Sequence, residues 1–284
     1  MNLVWLFILG SIWGTSFLFI KIVVSEIGPF TLVAGRLGLA ALSMALLLRA
    51  RRIPFPRERR VWGNFAVVGL LNGALPFTLI SWGEQYIPSG WAALLQATTP
   101  IFTILFAHVL TRDDRIDLRK ALGVVVGFAG VGLLMWPELR VGLNASVWGM
   151  LAIVGSSASY ALASIFARSR LQGQPPMASA AGQFTMGFLY ILPLAFILER
   201  PFAIAPSGQA LASWVTLSLM GTVVAYVIYF ALLARTSATF TTMVTYIVPI
   251  NGLVLGALVL NEHLSPMLMI SLALVFAGVL MVRR

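Results

Sequence analysis

The chain has 284 residues, of which 60% are hydrophobic and 10% are charged, and its mean hydropathy is +0.95. Soluble domains carry about 25% charged residues, so this composition excludes a soluble globular protein and predicts an integral membrane protein. The net charge of +10 does not indicate nucleic-acid binding, because the basic residues lie in short segments between apolar runs. The lack of cysteine excludes disulfides and cysteine–zinc sites.

Ten apolar runs follow one another along the chain. Crossing a hydrocarbon core of about 30 Å takes about 20 apolar residues in a helix, and the runs lack the two-residue alternation of barrel strands. We therefore predict an all-α integral membrane protein with ten transmembrane helices. The predicted spans are Leu3–Val24, Phe30–Leu48, Trp62–Trp82, Ser89–Thr111, Arg119–Trp136, Ser146–Ala167, Met177–Leu198, Leu211–Leu233, Thr239–Leu260 and Pro266–Val282.

Lysine and arginine are distributed unequally between the two sides of these spans. With the N-terminus in the cytoplasm, fifteen of the 19 basic residues fall in cytoplasmic segments. Three of them, Lys21, Arg140 and Arg200, fall on the far side, and Arg36 lies inside the second span. This excess predicts that both termini are cytoplasmic, which agrees with an even number of spans.

Four segments of the first half recur in the second half in the same order. They are "VWLFILGSIWGTSF" and "VWGMLAIVGSSASY", "PFTLVAGR" and "PMASAAGQ", "LLQATTPIF" and "MVTYIVPIN", and "FAGV" in both halves. The offsets between the paired segments stay between 143 and 149 residues. Each half has five spans, so the second half enters the membrane from the opposite face. We predict two inverted five-helix repeats, residues 1–137 and 146–284, with a substrate site between them near the midplane.

These motifs resemble those of EamA-type members of the drug/metabolite transporter superfamily, over essentially the whole chain. The resemblance is carried by "WGTSFLFIK", "PFTLVAGRLGLAAL", "IPSGWAALLQATTPIFTILFA" and "LNEHLSPMLMISLALVFAGVLM". It implies a ten-helix exporter or exchanger of metabolites in the bacterial inner membrane, and within the family it is similar to exporters of aromatic amino acids. Asp113 replaces the family's glutamate after the fourth span, and Glu262 keeps it after the ninth. Both lie at helix ends, which indicates structural roles.

Polar and aromatic side chains recur at helical spacing on spans three, four, six, eight and nine. Polar groups are costly inside a bilayer and face the bundle interior or water, so we expect these faces to line one cavity suited to a ring-bearing or amphipathic small molecule. Hydrogen bonding between helices uses the same residue types and is the alternative. The predicted substrate-binding residues are Thr78, Trp82, Gln96, Thr99, Tyr160, Tyr226, Tyr229, Thr245 and Tyr246.

Other residues of the spans indicate packing or anchoring. Small residues four apart let helices approach closely, and such pairs are Gly10/Gly14, Gly123/Gly127 and Gly252/Gly256. Proline kinks a helix, and the prolines within spans are Pro76, Pro100 and Pro249. Lys21 is expected to snorkel to the outer boundary, with contact to a substrate carboxylate as the alternative. Arg36, about 10 Å into its span, needs a carboxylate or carbonyl partner, either as an anchor or by binding a substrate carboxylate.

All nine acidic residues are expected in loops or at span ends, although Glu84 becomes an exception if the third span is misplaced by one turn. Proton-driven carriers often use a carboxylate inside the membrane, so we expect facilitative or exchange transport. His108 and His263 are too far apart to predict a metal site, and the sequence has no phosphate-binding loop. We expect no cofactor and no enzymatic activity.

The predicted function is export of amino acids, aromatic or otherwise apolar, or of similar small metabolites by alternating access. A multidrug or cationic-compound exporter is the alternative, because aromatic rings hold cations by cation–π contact. A membrane enzyme acting on lipid-linked substrates would need convergent acids, histidines or a metal, and a scaffold would leave the repeats unexplained. The expected partners are a small-molecule substrate and the lipid bilayer, with no nucleic acid; monomer and homodimer are both open.

Overall fold

The structure is a computed structural model that describes residues 1–111, 115–236 and 238–283. Within these residues the regular structure is entirely helical. In the same part of the chain, eight helices are long and apolar enough to cross a membrane. They are α1 (Asn2–Val24), α2 (Pro29–Ala50), α3 (Arg59–Gly83), α4 (Ser89–Leu110), α5 (Leu118–Val141), α6 (Ala145–Arg170), α7 (Pro176–Leu198) and α8 (Gly208–Arg235).

Two shorter apolar helices follow, α9 (Val244–Leu260) and α10 (Pro266–Arg283). The predicted all-α class is confirmed, and most predicted helix ends fall within three residues of the observed ones. The ninth helix begins later than predicted because the short helix Ala238–Thr241 is separated from it by a turn at residues 242–243. The fifth helix runs past Pro137 to its end at Val141.

Acidic side chains cap three helices at one end of the bundle, which we call the capped end. Glu199 accepts hydrogen bonds from the first two amide nitrogens of α2, at 3.0 and 2.7 Å. Glu262 accepts from the first two of α4, at 2.6 and 2.9 Å, and Glu26 accepts from Ser207, the residue before α8. Helix N-termini carry unsatisfied N–H groups and partial positive charge, so the predicted structural role of Glu262 is confirmed. Asp113 lies outside the described residues.

Glycines hold pairs of helices in close contact, as predicted. Where α5 meets α10, a Cβ atom added to Gly278 would lie 2.5 Å from the carbonyl oxygen of Gly123. Where α1 meets α9, a Cβ atom at Gly14 would lie 2.9 Å from the carbonyl oxygen of Val248. Real Cβ atoms do not approach other atoms this closely, so a larger residue would push these helices apart.

Three of the long helices are locally irregular in their middle. A π turn interrupts α3 at Leu70–Ala74, and another interrupts α8 at Leu219–Val224. The fourth helix is broken by a turn at residues 97–98, just before Pro100, whereas Pro249 lies inside the uninterrupted α9. π turns expose main-chain groups and occur frequently at functional sites, so these irregularities mark the region in which to look for a site.

Candidate transport site

A cavity of about 550 Å³ opens at the capped end of the bundle. Its charged lining residues are Lys21, Glu26 and Glu262, and the segment Tyr86–Pro88 forms part of its wall. None of the nine predicted substrate-binding residues lines this cavity. The cavity therefore resembles a vestibule at the bundle's end rather than the midplane cavity that the sequence predicts.

Lys21 does not simply extend to the membrane boundary. Its ammonium group donates hydrogen bonds to the carbonyl oxygens of Glu84, at 2.5 Å, and Ile87, at 2.9 Å. These two bonds attach the end of α1 to the segment that joins α3 to α4. The predicted snorkelling role is therefore incomplete, because the polar groups that Lys21 reaches are main-chain carbonyls of the protein.

Glu84 follows the last residue of α3, and its side chain is 0% exposed. Neither carboxylate oxygen accepts a hydrogen bond from the residues that the structure describes. The sequence correctly places Glu84 at a span end, but the expectation that no acid is buried inside the bundle is wrong for this residue. The physical reason is that α6, through Gly149 and Ile153, and Lys21 of α1 pack against the end of α3, which the sequence of α3 alone does not reveal.

Arg36 is 5% exposed and lies in the interior of the bundle. Its Nε atom donates to the hydroxyl of Thr222 at 2.9 Å, and its guanidinium carbon lies 3.9 Å from the centre of the Phe77 ring. The expected carboxylate or carbonyl partner is replaced by a hydroxyl and an aromatic face. Thr222 belongs to the π turn of α8, so this bond links α2 to that turn.

Asn72 lies in the π turn of α3 and forms a second polar link. Its amide donates to the side-chain oxygen of Gln183 at 2.7 Å and to the hydroxyl of Tyr226 at 3.0 Å. Gln183 is 5% exposed and is the residue that aligns with Arg36 in the sequence repeat. The π turn of α3 therefore bonds to Gln183 on α7, the second helix of the second half. The π turn of α8 bonds to the aligned residue Arg36 on α2, the second helix of the first half.

An aromatic cluster surrounds Tyr226. The ring centre of Tyr226 lies 6.2 Å from Trp13, 5.0 Å from Phe184, 6.4 Å from Tyr229 and 5.9 Å from Phe230. Trp13 also lies 5.8 Å from Tyr229. The structure therefore brings together two of the predicted residues, Tyr226 and Tyr229, in a half-buried group of rings beside the amide of Asn72.

Gln96 and Thr99 form another predicted pair at the break in α4. The side-chain amide of Gln96 donates to the Thr99 hydroxyl at 3.0 Å, and its oxygen accepts from Ser156 of α6 at 2.7 Å. Pro100 has no N–H group to bond the carbonyl four residues before it, and the Thr99 hydroxyl donates to that Gln96 carbonyl instead, at 2.9 Å. The break in α4 therefore has an identifiable cause and a polar neighbourhood.

The other predicted site residues make contacts of several kinds. The hydroxyls of Thr78 and Thr245 donate to carbonyls of their own segments, at 2.8 Å each. Trp82 packs against Tyr86 at 5.0 Å and Tyr160 against Phe77 at 6.5 Å, while the ring of Tyr246 lies 5.7 Å from that of Phe276. Substrate binding by the nine residues stays a prediction.

Sequence reasoning missed Asn72 and did not single out Gln183, and it named Glu84 only as the acid that a misplaced third span would put inside the bundle. Asn72 had a usable signal, because an amide in the middle of an apolar run is costly unless it has a partner inside the bundle. Gln183 has the same signal in α7. The burial of Glu84 had no local signal, because it depends on segments distant in sequence.

A bundle of membrane-length apolar helices with polar links and interrupted helices inside it is the architecture of a polytopic membrane transporter. The model of the EamA-like transporter family matches residues 1–136 and again residues 147–284. The chain therefore belongs to the EamA-like transporter family, and it is an integral multi-pass membrane protein. The predicted family resemblance is confirmed.

Named relatives are similar over nearly their whole length. A probable terminal-alkyne amino-acid exporter of Streptantibioticus cattleyicolor is 28% identical over 99% of this chain and 93% of that protein. The inner membrane transporter YedA of Escherichia coli (strain K12) is 29% identical over 98% of this chain and 89% of that protein. The transporter YoaV of Bacillus subtilis is 23% identical over 95% of this chain and 92% of that protein.

Among the solved structures that match this fold is a crystal structure of a protein with a TM-score of 0.70. The match covers 99% of this chain and 96% of that one at 18% identity. At this identity the likeness concerns the fold alone.

Proposed function

We propose that this protein exports amino acids, aromatic or otherwise apolar, or similar small metabolites across the bacterial inner membrane by alternating access. The observation that carries the proposal is the aromatic cluster of Trp13, Tyr226 and Tyr229 beside the Asn72 amide. Rings offer a surface to an apolar or aromatic side chain, and the amide offers a hydrogen bond to a polar end. The name of the Streptantibioticus relative, an amino-acid exporter, supports the same substrate class.

The proposed architecture has ten transmembrane helices in two inverted repeats, residues 1–137 and 146–284. The pairing of helices supports it: α1 packs on α9 and α6 on α4, while α3 packs on α6 and α8 on α1. In the sequence repeat, α1 corresponds to α6, α3 to α8 and α4 to α9. Replacing each helix by its counterpart gives the same set of packed pairs. The π turns of α3 and α8 begin 149 residues apart, which lies within the range of offsets of the sequence repeat, 143 to 149 residues.

Both termini are proposed to be cytoplasmic, which puts the capped end and its cavity on the outer side. The 17 residues of α9 span about 25 Å, slightly less than a hydrocarbon core of about 30 Å, and the turn before α9 adds to this length. The capped end contains few lysines and arginines, whereas segments at the opposite end contain Arg51, Arg52, Arg115 and Arg170, as the positive-inside rule requires.

Flux measurements in proteoliposomes test the proposal. Radiolabelled aromatic, aliphatic and charged amino acids are compared for the wild type, Gln96→Ala and the matched control Gln172→Ala, whose side chain is exposed. A hydrogen bond to a charged group contributes about 1.5–3 kcal/mol, so loss of a Gln96–substrate bond lowers flux at low substrate concentration about tenfold or more. Flux of apolar amino acids that is reduced only in Gln96→Ala supports the proposal, and absence of flux for every amino acid refutes it.

Export of cationic compounds is the second candidate function. The rings of Trp13, Tyr226 and Tyr229 lie within 6.4 Å of one another, which suits a cation held over aromatic faces. The positive charge of Arg36, which is buried on a neighbouring helix, would repel a cationic substrate and argues against this candidate. Adding labelled quaternary ammonium compounds to the same flux panel distinguishes the two substrate classes. The sequence also resembles the bacterial aromatic amino-acid exporter YddG, and this narrower match stays a prediction.

The burial of the Glu84 carboxylate removes the main argument for facilitative transport. That mode was expected because no carboxylate was predicted inside the bundle, and the Glu84 carboxylate is buried there.

A further inference from the structure

Glu84 differs from the other capped-end acids in the surroundings of its carboxylate. The carboxylates of Glu26, Glu199 and Glu262 each accept hydrogen bonds from main-chain amides. Both oxygens of Glu84 are buried and accept none from the described part of the chain. A buried carboxylate without donors is more stable neutral than charged, so the surroundings of Glu84 favour a bound proton.

The charged groups that face Glu84 from other elements are Lys21 of α1, Arg36 of α2 and Glu262 of the segment between α9 and α10. The titratable groups next to Arg36 are Tyr160 of α6 and Tyr226 of α8. The two cations favour the ionised acid and Glu262 disfavours it. Burial outweighs the cations and raises the pKa of Glu84, which lies one residue beyond α3, well above its usual range.

Lys21 connects the charge of Glu84 to the shape of the cavity. Its ammonium group donates to the carbonyl oxygens of Glu84 and Ile87, and residues 86–88 form part of the cavity wall. The observed bonds of Lys21 to these two carbonyls are those expected when Glu84 is neutral. When Glu84 is ionised, its carboxylate is a stronger hydrogen-bond acceptor than the two carbonyls. The ammonium group of Lys21 is then attracted away from the carbonyls and towards the carboxylate.

The same contacts disfavour a sodium ion at this position. A buried sodium ion would need several oxygen ligands, and two carbonyl oxygens of this segment, those of Glu84 and Ile87, are already bound by Lys21. A second cation beside the ammonium group would also be repelled. A proton needs only one carboxylate oxygen.

We propose that Glu84 is the proton-binding site through which this transporter couples substrate export to proton entry. The coupling rests on the function proposed above. A hydronium ion in the outer cavity gives its proton to the carboxylate, so that one O–H bond of hydronium breaks as the O–H bond of the acid forms and water remains. The O–H bond of the acid breaks when the proton passes to a water molecule on the cytoplasmic side. Loss of the proton draws Lys21 from the two carbonyls to the carboxylate and releases the segment of residues 84–88, which reshapes the cavity wall.

The coupling is tested with purified protein in proteoliposomes, with tritiated phenylalanine as the probe. With one proton exchanged per substrate, a gradient of one pH unit supports about tenfold accumulation. We expect this accumulation in the wild type and in the control Glu58→Gln, whose exposed acid lies at the opposite end. Glu84→Gln is expected to lower the accumulation ratio to about one while still exchanging labelled for unlabelled phenylalanine at equal pH.

Proton binding is tested separately from transport, by infrared difference spectra of the wild type between about pH 5 and about pH 9. We expect the carbonyl band of a buried protonated carboxylic acid to titrate in this range and to be missing in Glu84→Gln. This readout on the wild type needs no folded variant and no substrate.

Each outcome decides one of the two proposals. Absence of the infrared band in the wild type overturns the proton site, as does accumulation that persists in Glu84→Gln or that follows a sodium gradient instead. If the band titrates and depends on Glu84 but no labelled amino acid moves, the proton site stands and the proposed substrate class fails.

Discussion

The link between the π turn of α3 and α7 predicts a measurable coupling between Asn72 and Gln183. Asn72→Leu removes two hydrogen bonds, at 2.7 and 3.0 Å, and leaves the Gln183 oxygen buried without a donor. Gln183→Leu removes one of these bonds. Interhelical hydrogen bonds in membrane proteins contribute about 0.6 kcal/mol on average, and leaving a buried partner unsatisfied adds about 1–3 kcal/mol.

From these values Asn72→Leu should cost about 2 kcal/mol of unfolding free energy and Gln183→Leu about 1 kcal/mol. The double variant should cost about 1 rather than about 3 kcal/mol, because it loses the same two hydrogen bonds as Asn72→Leu but leaves no unsatisfied glutamine oxygen, giving a coupling energy of about 2 kcal/mol.

The measurement is reversible unfolding in mixed detergent micelles, followed by tryptophan fluorescence, for the four members of the cycle. Asn64→Leu is the control, because the Asn64 amide donates to the Arg170 carbonyl at the protein surface and should cost less than about 0.5 kcal/mol. Single-variant costs that add to within about 0.3 kcal/mol would show that the two amides are independent and would refute this account of the π turn.

Three further predictions concern packing, caps and pH. Gly278→Leu should separate α5 from α10 and prevent folding to a monodisperse protein in size-exclusion chromatography, whereas Gly132→Leu should fold normally because no atom lies within 4 Å of an added Cβ there. Glu199→Ala removes both amide bonds at the start of α2 and should lower the free energy of unfolding by about 1–3 kcal/mol; an unchanged value in micelles contradicts the cap. The raised pKa of Glu84 means that the folded protein binds more protons than the unfolded chain above the usual glutamate pKa. Wild-type stability should therefore fall as pH rises through that window, Glu84→Gln should abolish this fall, and equal pH slopes for the two proteins would count against it.

The helical class and most helix ends were predictable because each run of apolar residues carries its own signal. A span such as α1 satisfies its main-chain groups internally, so its existence does not depend on its neighbours. The close contact at Gly14 was predictable for the same reason, since the four-residue spacing of small residues is a local pattern.

Side-chain partners within the bundle were not predictable in this way. Asn72 bonds to residues 111 and 154 positions away, and nothing in its own span indicates which helices lie opposite. Lys21 was expected to reach water because its sequence position gives its height along the helix but not the carbonyls that face it. The π turn of α3 precedes Pro76, but that of α8 has no proline near it, so a proline search finds only one of the two.

The carboxylate caps at one end of the bundle have a consequence for biosynthesis. The amide group of Phe30 at the start of α2 is capped by Glu199, which is synthesised 169 residues after it. The amide group of Ser89 at the start of α4 is capped by Glu262, which is synthesised 173 residues after it. At a synthesis rate of about 5–20 residues per second, these helices stay uncapped for on the order of 10 s or more. The first half of the chain therefore reaches its final form only after most of the second half has left the ribosome.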